Sequence, residues 1–158
     1  MTAIRRATRA DLPALGRLGA ILMRTHYGFD PRRFLPPGDD PEEGYAWFLG
    51  TQLDRADCVV LVAERDGTIV GYVWATLEEL SWRELRDAAG FIDDVVVDET
   101  GRRLGVATAL IEAAADWLRA HGAPRVLLWT AEQNEGAQKL FAKLGFRRTM
   151  IEMTRELD

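Results

Sequence analysis

The first half of the chain has an apolar pattern that changes from a helical period to a strand period. Apolar residues recur every three or four positions after Asp11, which is typical of an amphipathic helix, whereas β-branched and aromatic residues dominate two later runs. Asp66-Gly67 separates those runs and is typical of a two-residue hairpin turn. The elements predicted here are a strand over residues 3–8, helices over 11–26 and 42–53, and hairpin strands over 58–65 and 68–76.

The second half alternates strands with helices. The run over residues 91–97 is apolar except for Asp93 and Asp94, and it predicts a central strand. The next helix is predicted from one apolar stripe at helical spacing, ended by Gly122 and Pro124. The stripe comprises Leu104, Ala107, Ile111, Ala114 and Leu118, and the remaining predictions are a strand over 125–130, a helix from Asn134 to Gly145 and a strand near 146–154.

Together these elements predict one α/β domain, of the α+β type, that occupies residues 1–158. We expect a mixed central sheet of about six to seven strands with helices on both of its faces. A chain of 158 residues is long enough to bury one core, and no repeat or linker indicates a second domain.

Composition narrows the classes of function. The 25 acidic residues outnumber the 20 basic ones, so the net charge of -5 creates no overall positive field for nucleic acid. Cys58 is the only cysteine, which excludes an internal disulfide, and two distant histidines add too little for a zinc site. No apolar stretch is long enough to cross a membrane, and the first residues lack a signal core. We therefore expect a cytoplasmic protein without a metal and without nucleic-acid or membrane partners.

The segment from Val95 to Thr108 carries the most chemical information. An apolar strand leads into a tight loop and then into a helix whose first turn contains Gly105 and the small Ala107. Free N–H groups at a helix N-terminus bind phosphate, and small side chains let a diphosphate approach the backbone. The alternative interpretation is a plain strand-to-helix turn with two solvated arginines, Arg102 and Arg103.

Other phosphate and hydrolase motifs are absent. The chain has no GxGxxG, and neither of its lysines, Lys139 and Lys143, follows a glycine as a P-loop requires. Its only serine, Ser81, lies in SWRE rather than in a GxSxG turn. Nucleotide hydrolysis and serine-hydrolase chemistry are therefore disfavoured.

The chain resembles the GNAT superfamily of acyl-CoA N-acyltransferases in two motifs. Arg102, Gly105 and Ala107 match the family's Q/R-x-x-G-x-G/A signature, and the preceding IDDVVVDE is similar to its CoA-facing strand. The later TAEQNEGAQKLFAKLGFRR is similar to the second motif, N-x-x-A-x-x-x-Y-x-x-x-G-F. The two motifs and the order of elements extend the resemblance over nearly the whole chain.

The resemblance implies an enzyme that uses acetyl-CoA as cosubstrate and needs no metal. Backbone groups of the strand would hold the pantetheine arm, amides of the following loop would hold the pyrophosphate, and Asn134 would contact CoA, although simple helix capping also explains this asparagine. The residues assigned to acetyl-CoA are Val95, Val96, Val97, Arg102, Arg103, Leu104, Gly105, Val106, Ala107, Thr108, Asn134 and Phe141.

Phe141 departs from the family pattern. Many relatives have a tyrosine there, which can protonate the leaving thiolate, whereas phenylalanine has no proton to donate. Ordinary core packing explains Phe141 as well. Because a thiol pKa is near about 8.5, the thiolate is a tolerable leaving group without this acid.

A general base is expected, because an ammonium group must lose a proton before it attacks a thioester. Asp93 is the first candidate, since two-residue alternation places it on the face of Val95 and Val97. Asp94 is the second candidate and points to the opposite face unless a bulge intervenes. Solvated or ion-paired carboxylates are the alternative for both.

These observations predict direct transfer of acetyl from acetyl-CoA to a primary amine of a small molecule or peptide in a ternary complex. Two alternatives stay open: a CoA-binding regulatory module without catalysis, and an acetyltransferase of protein N-termini or tRNA-linked amines. The sequence leaves the oligomeric state open, with a homodimer as one option.

Overall fold

The computed structural model describes all residues, 1–158, as one body of strands and helices. A 3-10 turn, Arg9–Asp11, connects the first strand to the first helix. In chain order the elements are β1 Thr2–Arg6, α1 Leu12–Phe29, α2 Pro41–Gln52, β2 Cys58–Arg65, β3 Thr68–Glu78, β4 Ala89–Val97, α3 Val106–Ala120, β5 Val126–Leu128 and α4 Glu135–Lys143.

The five strands form one sheet in the order β1-β2-β3-β4-β5. The first four strands pair antiparallel, and β5 pairs parallel to β4. The β2–β3 hairpin is confirmed: Asp66 has φ 51° and Gly67 has φ 77°, and positive φ at both central residues is what a type I′ turn requires.

The mixed sheet with helices on both faces is confirmed. One apolar cluster joins α3 to β2, β3 and β4, through residues such as Leu110 and Val73. A second cluster on the opposite face joins α1 and α2 to the same strands, through residues such as Leu18 and Val60. Burial of both faces explains why β4 reads as a nearly continuous apolar run.

The prediction of about six to seven strands was too high, because the segment near 146–154 is not a strand. Residues 147–158 make no backbone–backbone hydrogen bond, so they lie outside the sheet. The apolar stripe predicted for α3 also began too early in the sequence, at Leu104. The helix begins at Val106, so Leu104 belongs to the preceding loop and is 49% exposed.

No helix in the structure combines the length and the apolar character that crossing a lipid bilayer requires.

Candidate active site

The parallel strands β4 and β5 pair only over a short distance. Gly90, Phe91 and Ile92 pair with the three residues of β5, while β4 continues to Val97. Beyond Ile92, β4 therefore has an open edge on the side of β5, and Asp94 to Val97 pair only with β3. Unpaired backbone N–H and C=O groups at a strand edge can pair with an extended amide-containing ligand.

The loop that follows β4 presents a continuous row of free backbone amides. None of the seven N–H groups from Arg102 to Thr108 makes a hydrogen bond within the protein; the first bond into α3 is donated by Ala109 to the carbonyl of Gly105. Gly105 has φ 75°, and a Cβ there would meet open space. Free amides at the positive end of a helix attract anions, so this loop has the geometry of an anion site.

Asp98 fixes the start of this loop and was missed by the sequence analysis. Its carboxylate accepts hydrogen bonds from the backbone N–H groups of Thr100 and Gly101, from the Thr100 hydroxyl, and from Arg17 of α1 at 3.0 Å. Burial alone would raise its pKa, but the hydrogen bonds from Thr100 and Arg17 outweigh burial, and the pKa of Asp98 is lowered. A carboxylate two residues before a turn is the signal that could have identified it.

A β-bulge changes the orientation that simple alternation predicts for Asp93. Trp74 pairs with Asp94 and Ala75 pairs with Ile92, so Asp93 is an extra residue without a partner on β3. The prediction that Asp93 shares a face with Val95 and Val97 was therefore wrong. Those valines pack towards α3, whereas Asp93 bonds to Thr76, on the α1–α2 face.

Asp94 occupies a closed, hydrogen-bonded site beneath α2. Its Oδ2 accepts the hydroxyl of Tyr45 at 2.5 Å and the hydroxyl of Tyr72 at 2.9 Å. Burial raises the pKa of Asp94, although both hydrogen bonds act in the opposite direction. Because two phenols engage this carboxylate inside the core, Asp94 is better placed to hold α2 against the sheet than to reach a substrate.

Asp93 is the more accessible of the two carboxylates. Thr76 donates its hydroxyl to Asp93 Oδ2 at 3.0 Å, and the same hydroxyl lies 3.4 Å from Glu78. Partial burial raises the pKa of Asp93 to about 7, helped by the charges of Asp94 and Glu78 and opposed by Thr76 and Arg55. A carboxylate with this pKa can accept a proton near neutral pH.

Asp93 lines an open cleft of about 300 Å³. Aromatic rings form part of its wall: Phe91 and Trp129 meet edge to face with ring centroids 5.3 Å apart. The carboxylate of Glu84 is bound by Arg86 at 2.8 Å, so Asp93 and Glu78 supply the uncompensated negative charge. The lining residues are Trp74, Glu78, Glu84, Arg86, Phe91, Asp93 and Trp129.

The remaining residues assigned to CoA lie in different surroundings. Asn134 caps α4, where its side chain accepts the N–H of Ala137 at 3.2 Å, as the capping alternative predicts. Phe141 is buried in the cluster around α3 and contacts Phe146. Val96 faces α1 and α2, opposite to its two neighbours. Contact of these side chains with CoA stays a prediction.

The chain belongs to the GNAT acetyltransferase family, whose model matches residues 20–146. It is 29% identical over 148 residues to an uncharacterized N-acetyltransferase of Methanocaldococcus jannaschii, covering 94% of this chain and 62% of that protein. It is 31% identical over 121 residues to the mycothiol acetyltransferase of Thermomonospora curvata, covering 73% of this chain and 38% of that protein. The chain therefore matches less than two thirds of the length of either relative.

Solved structures show the same fold. A mutant of the BH1408 protein from Bacillus halodurans has a TM-score of 0.82 at 24% identity, over 98% of this chain and 99% of that chain. Aminoglycoside N-acetyltransferase AAC(6')-Iy, solved in complex with CoA, has a TM-score of 0.77 at 20% identity, over 99% of this chain and 95% of that chain.

Proposed function

We propose that this protein transfers acetyl from acetyl-CoA to the primary amine of a small cationic molecule or of a flexible peptide end. The observation that carries the proposal is the position of Asp93. It stands where the open edge of β4 begins, and it also lines the cleft. A donor on the open edge and an acceptor in the cleft would meet at this residue.

The donor side rests on backbone groups. The pyrophosphate of acetyl-CoA would lie on the free amides from Arg102 to Thr108. Its extended pantetheine arm would lie along the edge from Asp93 to Val97. Arg102 and Arg103 are exposed beside this loop and add positive charge for the phosphates. Backbone N–H groups on the same edge would polarise the thioester carbonyl.

The acceptor side favours a cation. The cleft suits an ammonium group, because aromatic faces and carboxylates both attract positive charge. Its aromatic rings belong to Trp74, Trp129 and Phe91, and its uncompensated carboxylates are Asp93 and Glu78. The cleft volume suits a small molecule or the end of a larger one. The relatives named as N-acetyltransferases support amine acetylation.

In the proposed reaction Asp93 accepts a proton from the bound ammonium group, directly or through one water molecule. The freed amine attacks the thioester carbonyl, its nitrogen loses a second proton to solvent, the carbon–sulfur bond breaks, and the CoA thiolate leaves and takes a proton from solvent. Cys58 is a poor acyl carrier: it is fully buried, its thiol donates to the Gln52 carbonyl at 3.2 Å, and burial raises its pKa. Direct attack is therefore proposed.

Two measurements on the wild-type protein test the proposal. Calorimetry with acetyl-CoA should show binding, and a panel of polyamines, aminoglycosides, amino-acid amides and short peptides should release free CoA thiol with at least one cationic member. Tight CoA binding with no thiol release from any amine would support the regulatory module instead. Absence of acetyl-CoA binding would contradict the donor site itself.

A further inference from the structure

Asp98 divides its two carboxylate oxygens between two parts of the protein. Oδ1 accepts the backbone N–H groups of Thr100 and Gly101, at 2.9 and 3.2 Å, and the Thr100 hydroxyl at 2.6 Å. Oδ2 accepts a hydrogen bond from the guanidinium of Arg17, on α1, at 3.0 Å. The bonds to Oδ1 shape the turn that leads into the free amides of residues 102–108, and the bond to Oδ2 joins that turn to a helix.

Arg17 also makes a second bond, to the sheet. Its other terminal nitrogen donates to the carbonyl of Ile69, near the start of β3, at 2.9 Å. The next residue of that strand, Val70, accepts the backbone N–H of Asp98 at 2.9 Å. One planar guanidinium therefore connects the strand with the turn, and its rigid fork fixes the directions of both bonds.

Helix α1 gives this side chain a firm support, because α1 and α2 pack closely on either side of Arg17. A Cβ added at Gly16 would lie 2.3 Å from the carbonyl oxygen of Glu42, and one added at Gly19 would lie 2.0 Å from the ring of Tyr45. Packing this close resists displacement. Arg17 is therefore held in a fixed position relative to β3 and the turn.

The backbone of the turn and the loop is one that needs such support. A Cβ added at Gly101 would lie 2.8 Å from the side chain of Val97, so the chain folds tightly back on β4. Arg103, within the row of free amides, has φ 62°, in the left-handed region that disfavours residues other than glycine. A backbone in this conformation persists only where surrounding contacts hold it, and the bonds of Asp98 with Arg17 supply such contacts.

We propose that Arg17 is a positioning residue for acetyl-CoA: through Asp98 it holds the turn, so that the amides of residues 102–108 converge on one anion. The role rests on the proposed function, in which these amides bind the pyrophosphate. Arg17 acts on the cosubstrate only through Asp98, so it is not a catalytic residue. Its loss should weaken the binding of acetyl-CoA.

The first test compares Arg17→Gln with Arg5→Gln by calorimetry with acetyl-CoA. The two arginine side chains are similarly exposed, 45% for Arg17 and 40% for Arg5, but Arg5 binds Asp11 and Glu64 from the edge strand β1. The Kd for acetyl-CoA should rise by about five- to tenfold in Arg17→Gln and stay near the wild-type value in Arg5→Gln. Arg17→Lys, which keeps the charge and loses the fork, should give an intermediate Kd.

The second test is a double-mutant cycle between Arg17 and Asp98. Asp98→Ala removes the carboxylate that Arg17 binds, and it should also raise the Kd for acetyl-CoA. Addition of Arg17→Gln to Asp98→Ala should cause little further loss, because the contact between the two residues is already absent. Additive losses would mean that Arg17 acts on acetyl-CoA without Asp98, and they would overturn the positioning role.

The third test is hydrogen exchange in the ligand-free protein, measured by NMR. The amides of Thr100 and Gly101, which bond to Asp98, should exchange about fivefold or more faster in Arg17→Gln and at the wild-type rate in Arg5→Gln. Unchanged exchange, or unchanged acetyl-CoA affinity, in Arg17→Gln would overturn the role of Arg17 and leave the proposed function standing. A wild-type protein that does not bind acetyl-CoA would overturn the proposed donor site, and the role of Arg17 with it.

Discussion

Tyr72, on β3, donates a 2.9 Å hydrogen bond to the buried carboxylate of Asp94, on the neighbouring strand. Tyr72→Phe should lower the free energy of unfolding by about 1–3 kcal/mol, because it leaves a buried acceptor with one donor fewer. Urea unfolding at neutral pH measures this loss. Tyr27→Phe is the control, since Tyr27 is only half-buried near the end of α1. Equal losses in both variants would show that the bond to Asp94 contributes little.

Gly19 lets the other tyrosine reach the same carboxylate. A Cβ at Gly19, on α1, would lie 2.0 Å from the ring of Tyr45, whose hydroxyl bonds to Asp94. Gly19→Ala should therefore displace this ring and destabilise the protein by about 1–3 kcal/mol.

The control for this prediction is Gly28→Ala in the same helix, where a Cβ would meet nothing within 4 Å. Since alanine favours a helix over glycine, this variant should be unchanged or more stable by up to about 1 kcal/mol. Thermal unfolding measures the change in stability of both variants. Equal changes would contradict the close approach of α1 and α2.

Local patterns were sufficient to predict most of the fold. The positive φ values at Asp66 and Gly67 follow from a turn that the dipeptide itself indicates, and the buried helix α3 follows from its apolar spacing. The strand expected near 146–154 was not found, because a strand pattern in the sequence does not reveal whether a pairing edge is within reach.

The candidate site was less predictable than the fold for a similar reason. Alternation assigns faces correctly only in a regular strand, and the extra residue at Asp93 reverses the assignment there. The contacts of Asp98 with Arg17, and of Asp94 with Tyr45, join residues 81 and 49 positions apart, which no local motif reports. By contrast, the loop that ends at Gly105 and the start of α3 could be located from the sequence, because the glycine and the helix start are adjacent; its phosphate role stays a prediction.

Gly105→Glu tests the phosphate loop. The substitution places a carboxylate beside the free amides and a side chain at φ 75°, so the affinity for acetyl-CoA should fall by about tenfold or more. Gly122→Glu is a matched control at the other end of α3, with φ 89° and open space around its Cβ. Calorimetry should show weakened binding only for Gly105→Glu. Equal affinities in the two folded variants would contradict the site.

Asp93 should make stability depend on pH in a defined direction. Its pKa is raised from 3.8 to about 7 in the folded state, so the folded protein holds this proton more tightly than the unfolded chain. The sidechain therefore favours folding at low pH, and this contribution is lost as pH rises towards and through about 7.

Asp93→Asn removes that dependence. The thermal stability of the variant relative to the wild type should increase as the pH is raised from about 5 to about 8. Over this range a buried charge forms in the wild type but not in the variant. Asp54→Asn, which removes an exposed carboxylate, is the control for the loss of a charge. A difference between Asp93→Asn and the wild type that did not change with pH would contradict the raised pKa.

Asp93→Asn should also lower kcat by about 100-fold or more, with the affinity for acetyl-CoA nearly unchanged, because general-base catalysis typically contributes this much. In the wild type, kcat/KM should decline as pH falls below about 7, the pKa of Asp93.

Substitution of two residues beside Asp93 distinguishes this base from any other. Glu78→Gln removes a negative charge that raises the pKa of Asp93, so the acidic limb should move to lower pH. Thr76→Val removes a hydrogen bond that lowers the same pKa, so the limb should move to higher pH. Opposite shifts in these two variants, with kcat at high pH retained in both, are the expected pattern. An acidic limb that stays in place in both variants would mean that another group takes the proton.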